Sequence, residues 1–436
     1  MATIVTSTGS GLHPLKRLLG RGHERAAHTP GSGPIDHDTL GSEHGHVQVD
    51  LRPVHRVALA IAPKGRGPFA GQFAEAMAMI DEVLSHEGVP MDVTFQTVFL
   101  RRGEDESEFR RLLQERFDDC LPATNCVVQP PCCGADLAIE AWAVGGPGAT
   151  VVYHNPYLVE VRYDGLRWIY CAGINPAVGT TGGYAQSESV FRQMNDHLRS
   201  VAARFDEVVR TWLYFGGITA DDAGTERYRE LNRARSDFFA NLSFGGHLTL
   251  PGHSTDFYPA STGIGTLGLG LVTACQALQT ERSDVRLLPL ENPNQTPSYH
   301  YGPEYSLKSP KFSRAMAVAI GNYVTTWVSG TASIVNAETV HRGDVAKQTR
   351  QTIDNIRDLI APENFARLGL PGAGAGLEDL AKVRVYIKRQ GDYEQCRAIC
   401  DELLGGLPTI YAVADVCRPD LLVEIEGVAF SPLRRA

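Results

Sequence analysis

Hydrophobic and polar positions follow the same order in three successive parts of the chain. In the last part, residues 421–429 alternate between apolar and polar side chains, which predicts a strand, whereas residues 345–360 carry apolar side chains near helical spacing. The elements predicted for this part are, in order, residues 323–329, 345–360, the end of 377–387, 393–404, a strand opened by Pro408, and 421–429. This part is therefore predicted to run strand, helix, strand, helix, strand, strand.

Two earlier parts of the chain repeat this order. The second copy is predicted at residues 168–173, 187–202, 205–214, a helix containing 228–235, 259–262 and 271–278. The first and most degenerate copy is predicted at residues 73–84, 91–100, 108–117, 122–124 and 137–143. A pattern that recurs at domain length indicates tandem domains. We therefore predict three α+β domains at residues 53–150, 151–295 and 296–436.

Residues 1–52 are predicted to form a flexible N-terminal tail. This stretch is rich in Gly, Ser, Pro and His and has no sustained apolar period. Its histidines include His44 and His46, but no cysteine or carboxylate stands at a ligand spacing from them. The sequence therefore predicts no metal site in the tail.

Charge and cysteine usage limit the possible partners. The 436 residues carry a formal charge of −9, and the basic residues are scattered among acidic ones, whereas nucleic-acid binding requires a cluster of uncompensated Lys and Arg. No apolar run approaches the roughly 18 residues that span a bilayer. The nine cysteines form no CxxC motif and no Cys/His ligand spacing. We expect a cytoplasmic protein with reduced thiols that binds neither nucleic acid nor membrane.

Sequence motifs for bound cofactors are absent. No GxGxxG follows a predicted strand, and neither a GK[ST] phosphate loop nor a GxSxG nucleophile elbow occurs in the chain. A reaction that needs no cofactor is consistent with this pattern.

The final hundred residues resemble the Rid/YjgF family. The motifs LEDLAKVRVYI at residues 377–387 and LLVEIEGVA at residues 421–429 carry the resemblance. Members of that family are trimers of chorismate-mutase-like domains, whose sheets surround a central β-barrel and whose small-molecule sites lie between subunits. The resemblance implies that the three domains of this chain form an intramolecular pseudo-trimer, and that the protein is a monomer or a weak dimer.

A narrower resemblance connects the second and third domains to the chorismatases. The blocks that carry it are RYRELNRAR at 227–235, PASTGIG at 259–265, NPNQTPSYHY at 292–301, SPKFSRA at 309–315 and SGTASI at 329–334. Chorismatases cleave chorismate to pyruvate and either a cyclohexadiene diol or a hydroxybenzoate. The resemblance therefore implies an enzyme that acts on a small anionic substrate.

Glu424 is the candidate catalytic residue. When the closing strands are aligned on their last glutamate, Glu426 falls opposite Glu140 and Cys275, and Glu424 falls opposite Ala138 and Thr273. The repeated fold therefore needs no carboxylate at residue 424. Because alternate residues of a strand share a face, Leu421, Val423 and Ile425 are predicted to pack on the helices, and Glu424 and Glu426 to face a cleft between domains.

A carboxyl group in such a partly apolar cleft has a raised pKa and can serve as a general acid. The resemblance implies that Glu424 protonates the methylene carbon of the enolpyruvyl ether. The competing interpretation is a glutamate at the rim of the cleft, paired with a lysine or an arginine.

Arginines are the expected ligands of a dianionic substrate, because a guanidinium forms bidentate pairs with a carboxylate. Arg397 is the first choice, since the second domain has Asn232 in its place. Arg233 and Arg227 are predicted to contribute from the second domain. The alternative for each is a position on a solvated helical face.

The remaining candidates are small or aromatic. Tyr299 and Tyr301 could hydrogen-bond the substrate or could pack between domains, and Ser329, Gly330 and Ala332 are small residues at a strand end, where a ligand could approach the backbone. Gly330 and Val413 are the positions to compare with the product-determining pair of that family. In that family an Ala/Val pair accompanies hydrolysis, and a Gly/Cys pair accompanies 3-hydroxybenzoate formation, so Gly330 with Val413 is a mixed pair.

Two other functions remain open at this point. A Rid-type imine or enamine hydrolase would hold its substrate through an arginine that follows a proline and one small residue, but Pro408-Thr409-Ile410 has none. A protein that binds a small molecule without catalysis is the second alternative.

Overall fold

The predicted order of elements is confirmed in all three domains of the computed structural model. The structure describes residues 54–250 and 257–434, together with the backbone of three short strands, β1 (Val5–Thr6), β2 (Ile35–Asp36) and β3 (Gly45–Asp50). His44, the side chain of His46 and most of the predicted tail lie outside the described residues.

The first and second domains are built from the following elements. The first contains β4 (His55–Ile61), α1 (Phe69–His86), β5 (Met91–Leu100), α2 (Glu106–Phe117), β6 (Ala123–Val128) and β7 (Leu137–Gly145). The second contains β8 (Thr150–Asn155), β9 (Leu158–Tyr163), β10 (Leu166–Ile174), α3 (Gly183–Ser200), β11 (Val208–Phe215), β12 (Asp221–Asp222), β13 (Thr225–Glu226), α4 (Arg227–Phe239), β14 (Ala260–Ile264) and β15 (Leu271–Thr280).

The third domain begins with β16, before the boundary predicted at residue 296, and has two strands ahead of the repeated pattern. It contains β16 (Val285–Leu290), β17 (Ala315–Ile320), β18 (Tyr323–Ala332), β19 (Ile334–Val335), β20 (Glu338–Thr339), α5 (Val345–Ile360), α6 (Pro362–Arg367), β21 (Leu380–Ile387), α7 (Tyr393–Leu404), β22 (Thr409–Val413) and β23 (Val423–Pro432). Among the described residues, none of the helices is long and apolar enough to cross a membrane.

The three large sheets share one topology. Their common strands run in the order β4-β7-β5-β6, β10-β15-β11-β14 and β18-β23-β21-β22, so the closing strand always lies between the first two. Only the second and third strands of each set are parallel, as a helical crossover requires. β3 pairs with β4, so the first sheet begins before the boundary predicted at residue 52. The protein is therefore an α+β structure with three equivalent sheets.

The closing strand β23 turns two faces to different surroundings. Val423 and Ile425 pack in one buried cluster with α5 and α7, which confirms their predicted orientation. Leu421 precedes the strand and packs in the central cluster instead, so its prediction is wrong. Glu424 and Glu426 lie on the other face of the strand.

The strands β5, β11 and β21 each have a β-bulge near their start, and this bulge is a common reference point for comparing the three sheets. Counted from that bulge, Glu424 corresponds to Ala138 in the first domain and to Val272 in the second. The predicted counterpart Thr273 is therefore wrong by one residue. β15 contains no glutamate to anchor an alignment, and a slip of one residue exchanges the two faces of a strand.

The three domains meet through aromatic side chains. One buried cluster contains Trp142, Trp212 and Trp327, one tryptophan from each domain. The ring centroid of Trp327 lies 6.1 Å from that of Trp142 and 6.2 Å from that of Trp212, both edge to face. The domains therefore share a core rather than being linked only by the chain.

Candidate active site

A cavity of about 420 Å³ lies between the second and third domains. The second domain contributes side chains from α4 and β14, and the third contributes β18, β23 and the irregular segments around residues 301–314 and 417–420. Pockets of about this volume commonly hold small organic molecules. The cavity therefore forms where the sequence predicts an inter-domain cleft.

Glu424 lines this cavity on β23 and is only 3% exposed. Burial, reinforced by the neighbouring Glu426, raises the pKa of Glu424 to about 8, and the nearby Arg210 and Arg314 only partly oppose this rise. The carboxyl group is therefore mostly protonated at neutral pH, as a general acid must be.

Gly330 lets the Glu424 side chain reach its position. A Cβ at residue 330 would overlap Glu424 Oε1 and would lie 3.1 Å from Thr262 Cγ2. The Gly330 N–H donates to Thr262 Oγ1 at 2.9 Å, which fixes the backbone beneath the carboxyl group. Any larger residue at 330 must therefore displace the acid.

Two buried arginines face the acid from the other walls of the cavity. Arg235 on α4 and Arg314 before β17 each lie against the Phe312 ring, with guanidinium carbons 5.4 and 5.5 Å from its centroid. Arg314 Nη2 donates to the Tyr301 hydroxyl at 2.6 Å, and Arg235 Nη2 donates to Asn232 Oδ1. The Nε of each is fully buried and has no hydrogen-bond partner within the described residues. Both guanidinium groups line the cavity and bring positive charge to it.

Another part of the cavity lining combines aromatic rings with the Arg418 side chain. The Arg418 guanidinium lies 4.5 Å from the Tyr305 ring and 5.4 Å from the Tyr301 ring, and it donates to the Ala337 carbonyl at 2.7 Å. These contacts connect residues 301–305 to the segment before β23.

The structure brings together four of the predicted site residues. Glu424, Tyr301, Gly330 and Ala332 line the cavity. Ser329 is fully buried behind it, where its hydroxyl accepts from the Ser261 N–H at 2.9 Å and donates to the Ser313 carbonyl at 2.6 Å. Ser329 therefore supports the wall without reaching the ligand space.

Arg397 does not reach the cavity, which corrects the first choice for a substrate ligand. It is 52% exposed on α7 and pairs with Asp401 at 3.6 Å, one helical turn away. The buried side of α7 carries Cys396, Ile399 and Cys400 instead. Arg397 therefore occupies the solvated helical face that was its alternative.

The two predicted arginines of α4 are also turned away from the cavity. Arg233 pairs with Glu230 at 2.6 Å and lies over the Tyr184 ring. Arg227 donates to the Leu269 carbonyl at 2.9 Å and to the Gln186 side chain at 2.8 Å. Their hydrogen bonds hold the second domain together.

Two further predictions need correction. Tyr299 packs against Tyr258, with ring centroids 5.5 Å apart, and is not among the residues that line the cavity. Val413 donates its N–H to the Pro130 carbonyl of the first domain at 2.9 Å, whereas Cys417 lines the cavity. The residue that faces the ligand space with Gly330 is therefore Cys417.

Three cavity residues that were not predicted from the sequence lie within the sequence blocks that resemble the chorismatases. Arg235 ends the block at 227–235, and Arg314 and Phe312 belong to the block at 309–315. Nothing in the charge pattern singles them out, because RYRELNRAR contains four arginines and SPKFSRA contains Lys311 as well as Arg314. In the part of the chain that the structure describes, no group of three His, Cys, Asp or Glu side chains is arranged to hold a metal.

Comparison with known proteins gives a consistent result. The family model described as "Chorismatase FkbO/Hyg5-like, N-terminal" matches residues 140–277, and "Endoribonuclease L-PSP" matches residues 307–431. A 3-hydroxybenzoate synthase of Streptomyces hygroscopicus is 36% identical over 281 residues, which cover 62% of this chain and 76% of that protein. A chorismatase of Streptomyces rapamycinicus is 32% identical and covers 66% and 81% respectively.

A solved chorismatase structure superimposes with a TM-score of 0.60, covering 85% of this chain and 98% of that one at 22% identity. The overall fold is therefore shared with that structure.

Proposed function

The chain belongs to the chorismatase family, and on that basis we propose that it cleaves the enolpyruvyl ether of chorismate to pyruvate and a six-membered-ring product. One observation carries the proposal: a buried, protonated carboxyl group shares a cavity with two buried arginines. An enol ether is cleaved by adding a proton to its methylene carbon, and chorismate carries two carboxylates for the arginines to bind.

Glu424 supplies the proton in the proposed reaction. Its transfer to the methylene carbon converts the enol ether to an oxocarbenium ion and leaves Glu424 ionised. Water or a ring hydroxyl then attacks the cation, the ether bond breaks, and a proton returns to the carboxylate. The nearby Arg210 and Arg314 stabilise the ionised form when it appears.

Arg235 and Arg314 are the proposed substrate ligands. Their planar forks match a carboxylate in a way that a single ammonium group cannot. Because both are buried against Phe312, their charges interact strongly with an anion that enters the cavity. Tyr301 supports this arrangement through its hydrogen bond with Arg314.

The cavity favours 3-hydroxybenzoate as the ring product. The resemblance to chorismatases associates a Gly/Cys pair with that product, and Gly330 and Cys417 both line this cavity. A relative named 3-hydroxybenzoate synthase is also 36% identical to this chain. This route consumes no water overall, because the atoms of chorismate equal those of 3-hydroxybenzoate and pyruvate together.

The purified protein should convert chorismate to equal amounts of pyruvate and 3-hydroxybenzoate. Mass spectrometry distinguishes this product from the cyclohexadiene diol, which contains the elements of one more water. A diol as the main product would contradict the Gly/Cys assignment but would leave the ether cleavage intact. Hydrolysis of an imine or enamine without turnover of chorismate would favour the Rid-type alternative, and tight binding of chorismate without products would favour a binding protein.

We also propose that the three domains form an intramolecular pseudo-trimer around a central barrel. Equivalent interface positions support it: Glu140 of the first domain pairs with Lys382 of the third, and Glu426 of the third pairs with Arg210 of the second. At the third interface the corresponding positions are Ala274 of the second domain and Phe95 of the first, and both are apolar.

A chain that supplies its own three domains should be a monomer in solution, or at most a weak dimer. Sedimentation equilibrium or light scattering across a tenfold concentration range measures this directly. A stable trimer of the full chain would contradict the pseudo-trimer, because the trimeric contacts would then lie between chains.

A further inference from the structure

Glu426 is buried between two domains and is held by four side chains. Arg210 Nη2 and Thr262 Oγ1, both from the second domain, contact Glu426 Oε2. On the other side, Arg384 Nη1 lies 2.8 Å from Glu426 Oε1, and the Tyr386 hydroxyl donates to the same oxygen at 3.1 Å. Each carboxylate oxygen therefore has a cationic and a hydroxyl partner.

This arrangement is connected to the acid through the backbone. Thr262 Oγ1 also accepts the Gly330 N–H at 2.9 Å, and Gly330 is the residue whose missing side chain makes room for Glu424. Glu424 and Glu426 are alternate residues of β23 and share its inner face. A carboxylate held by four side chains therefore lies on the same strand face as the acid and outside the cavity.

The charged and titratable groups around Glu424 come from five different segments. Glu426 on β23 opposes ionisation of Glu424, and Arg210 on β11 and Arg314 before β17 favour it. Tyr228 on α4 and Cys417 in the loop before β23 are the other ionisable neighbours, and both are neutral at physiological pH because burial raises the pKa of each. Glu426 is therefore the one negative charge among these neighbours.

We propose that Glu426 is a positioning residue for the reaction: clamped by Arg210, Thr262 and Arg384, its carboxylate holds the Glu424 side chain in the protonated form that donates to substrate. Glu426 does not touch the cavity, so it acts only through Glu424. This inference rests on the proposed function, in which Glu424 is the proton donor.

The first domain supplies a matched control. Glu140 occupies the position of Glu426 in its own sheet, is equally buried and pairs with Lys382 and Arg384. The residue that corresponds there to Glu424 is Ala138, so the alternate position on that strand carries no carboxyl group. Glu426→Gln and Glu140→Gln thus each remove one buried carboxylate from two cations, and both should lower the melting temperature.

The two variants should differ in the pH dependence of kcat for chorismate. Because the reaction needs protonated Glu424, kcat falls as the pH rises through the pKa of Glu424, which is about 8. Glu426→Gln removes a negative neighbour and frees the positive charge of Arg210, and both changes should lower this midpoint by about one unit or more. Glu140→Gln should leave the midpoint where it is in the wild type.

A second readout does not depend on turnover. Infrared or NMR titration of isotopically labelled glutamate, taken as the difference between a protein with Glu424 and its Glu424→Gln counterpart, reports the protonation of this carboxyl group without chorismate. If wild-type protein does not cleave chorismate, the proposed function is wrong, and the titration still decides whether Glu426 controls the protonation of Glu424.

Two results would overturn the inference: a midpoint that is unchanged in Glu426→Gln, or equal shifts in both glutamate variants. If Glu426→Gln does not fold, the Glu424 midpoint can be measured in Arg210→Met, where the expected shift has the opposite direction. Loss of that positive charge should move the Glu424 midpoint to higher pH, and a downward shift would overturn the inference.

Discussion

Glu424→Gln should lower kcat for chorismate roughly 10²- to 10⁴-fold, the usual contribution of a general acid, and should change KM little. Glutamine keeps the shape and most of the hydrogen-bonding capacity of the protonated carboxyl group but has no acidic proton to donate. Steady-state kinetics that follow pyruvate release measure both constants. A folded variant with activity near that of the wild type would contradict the role of Glu424.

The stability of this variant provides the control. The corresponding positions hold Ala138 and Val272, so the fold does not require a carboxylate there. In the folded protein the pKa of Glu424 is raised to about 8 from its ordinary 4.5, so folding is progressively disfavoured as the pH rises from about 4.5 towards 8. Glu424→Gln should therefore melt at or above the wild-type temperature at pH 9. If the melting temperature of Glu424→Gln falls strongly, its loss of activity is explained by misfolding and not by the missing proton.

The order of elements could be predicted because the repeated strands and helices have different periods. The strands that the sequence missed lack this signal. β17 reads AMAVAI and is buried along its whole length, so no polar residue marks either face. β4 at His55–Ile61 is likewise buried at six of its seven positions. A short apolar run of this kind does not distinguish a strand from a buried helix segment.

The acid could be predicted from the sequence, but its partners could not. Glu424 is a polar residue of an alternating strand, at a position that the other domains leave uncharged. On α4, by contrast, arginines occur at 227, 229, 233 and 235, and only the packing of the helix decides which of them faces the cavity. Charge alone does not reveal burial, so the choice of Arg227 and Arg233 over Arg235 had no physical basis in the sequence.

The second residue of the predicted product-determining pair could not be identified from the sequence, for a different reason. Val413 ends β22 and Cys417 lies in the irregular segment before β23. The number of residues in an irregular segment does not determine which side chain turns inward, because its backbone follows no fixed period. The structure is therefore needed to show that Cys417, and not Val413, lines the cavity.

Substrate binding should depend on Arg235 far more than on Arg397. Arg235→Lys keeps the positive charge but removes the planar fork that matches a carboxylate, and we expect KM for chorismate to rise about 10- to 100-fold, the equivalent of one lost hydrogen bond to a charged group. Arg397→Lys should leave KM unchanged, because that side chain is 52% exposed and pairs with Asp401.

Arg235 is a sharper test of binding than Arg314. Arg314 also influences the pKa of Glu424, so its replacement would change protonation and binding together. Arg235 is not among the groups that shift the pKa of Glu424, and Arg235→Lys should therefore raise KM while the pH midpoint of kcat stays in place. An unchanged KM in Arg235→Lys would remove this residue from the substrate site. A higher KM in Arg397→Lys would show that the substrate reaches α7, which the cavity does not include.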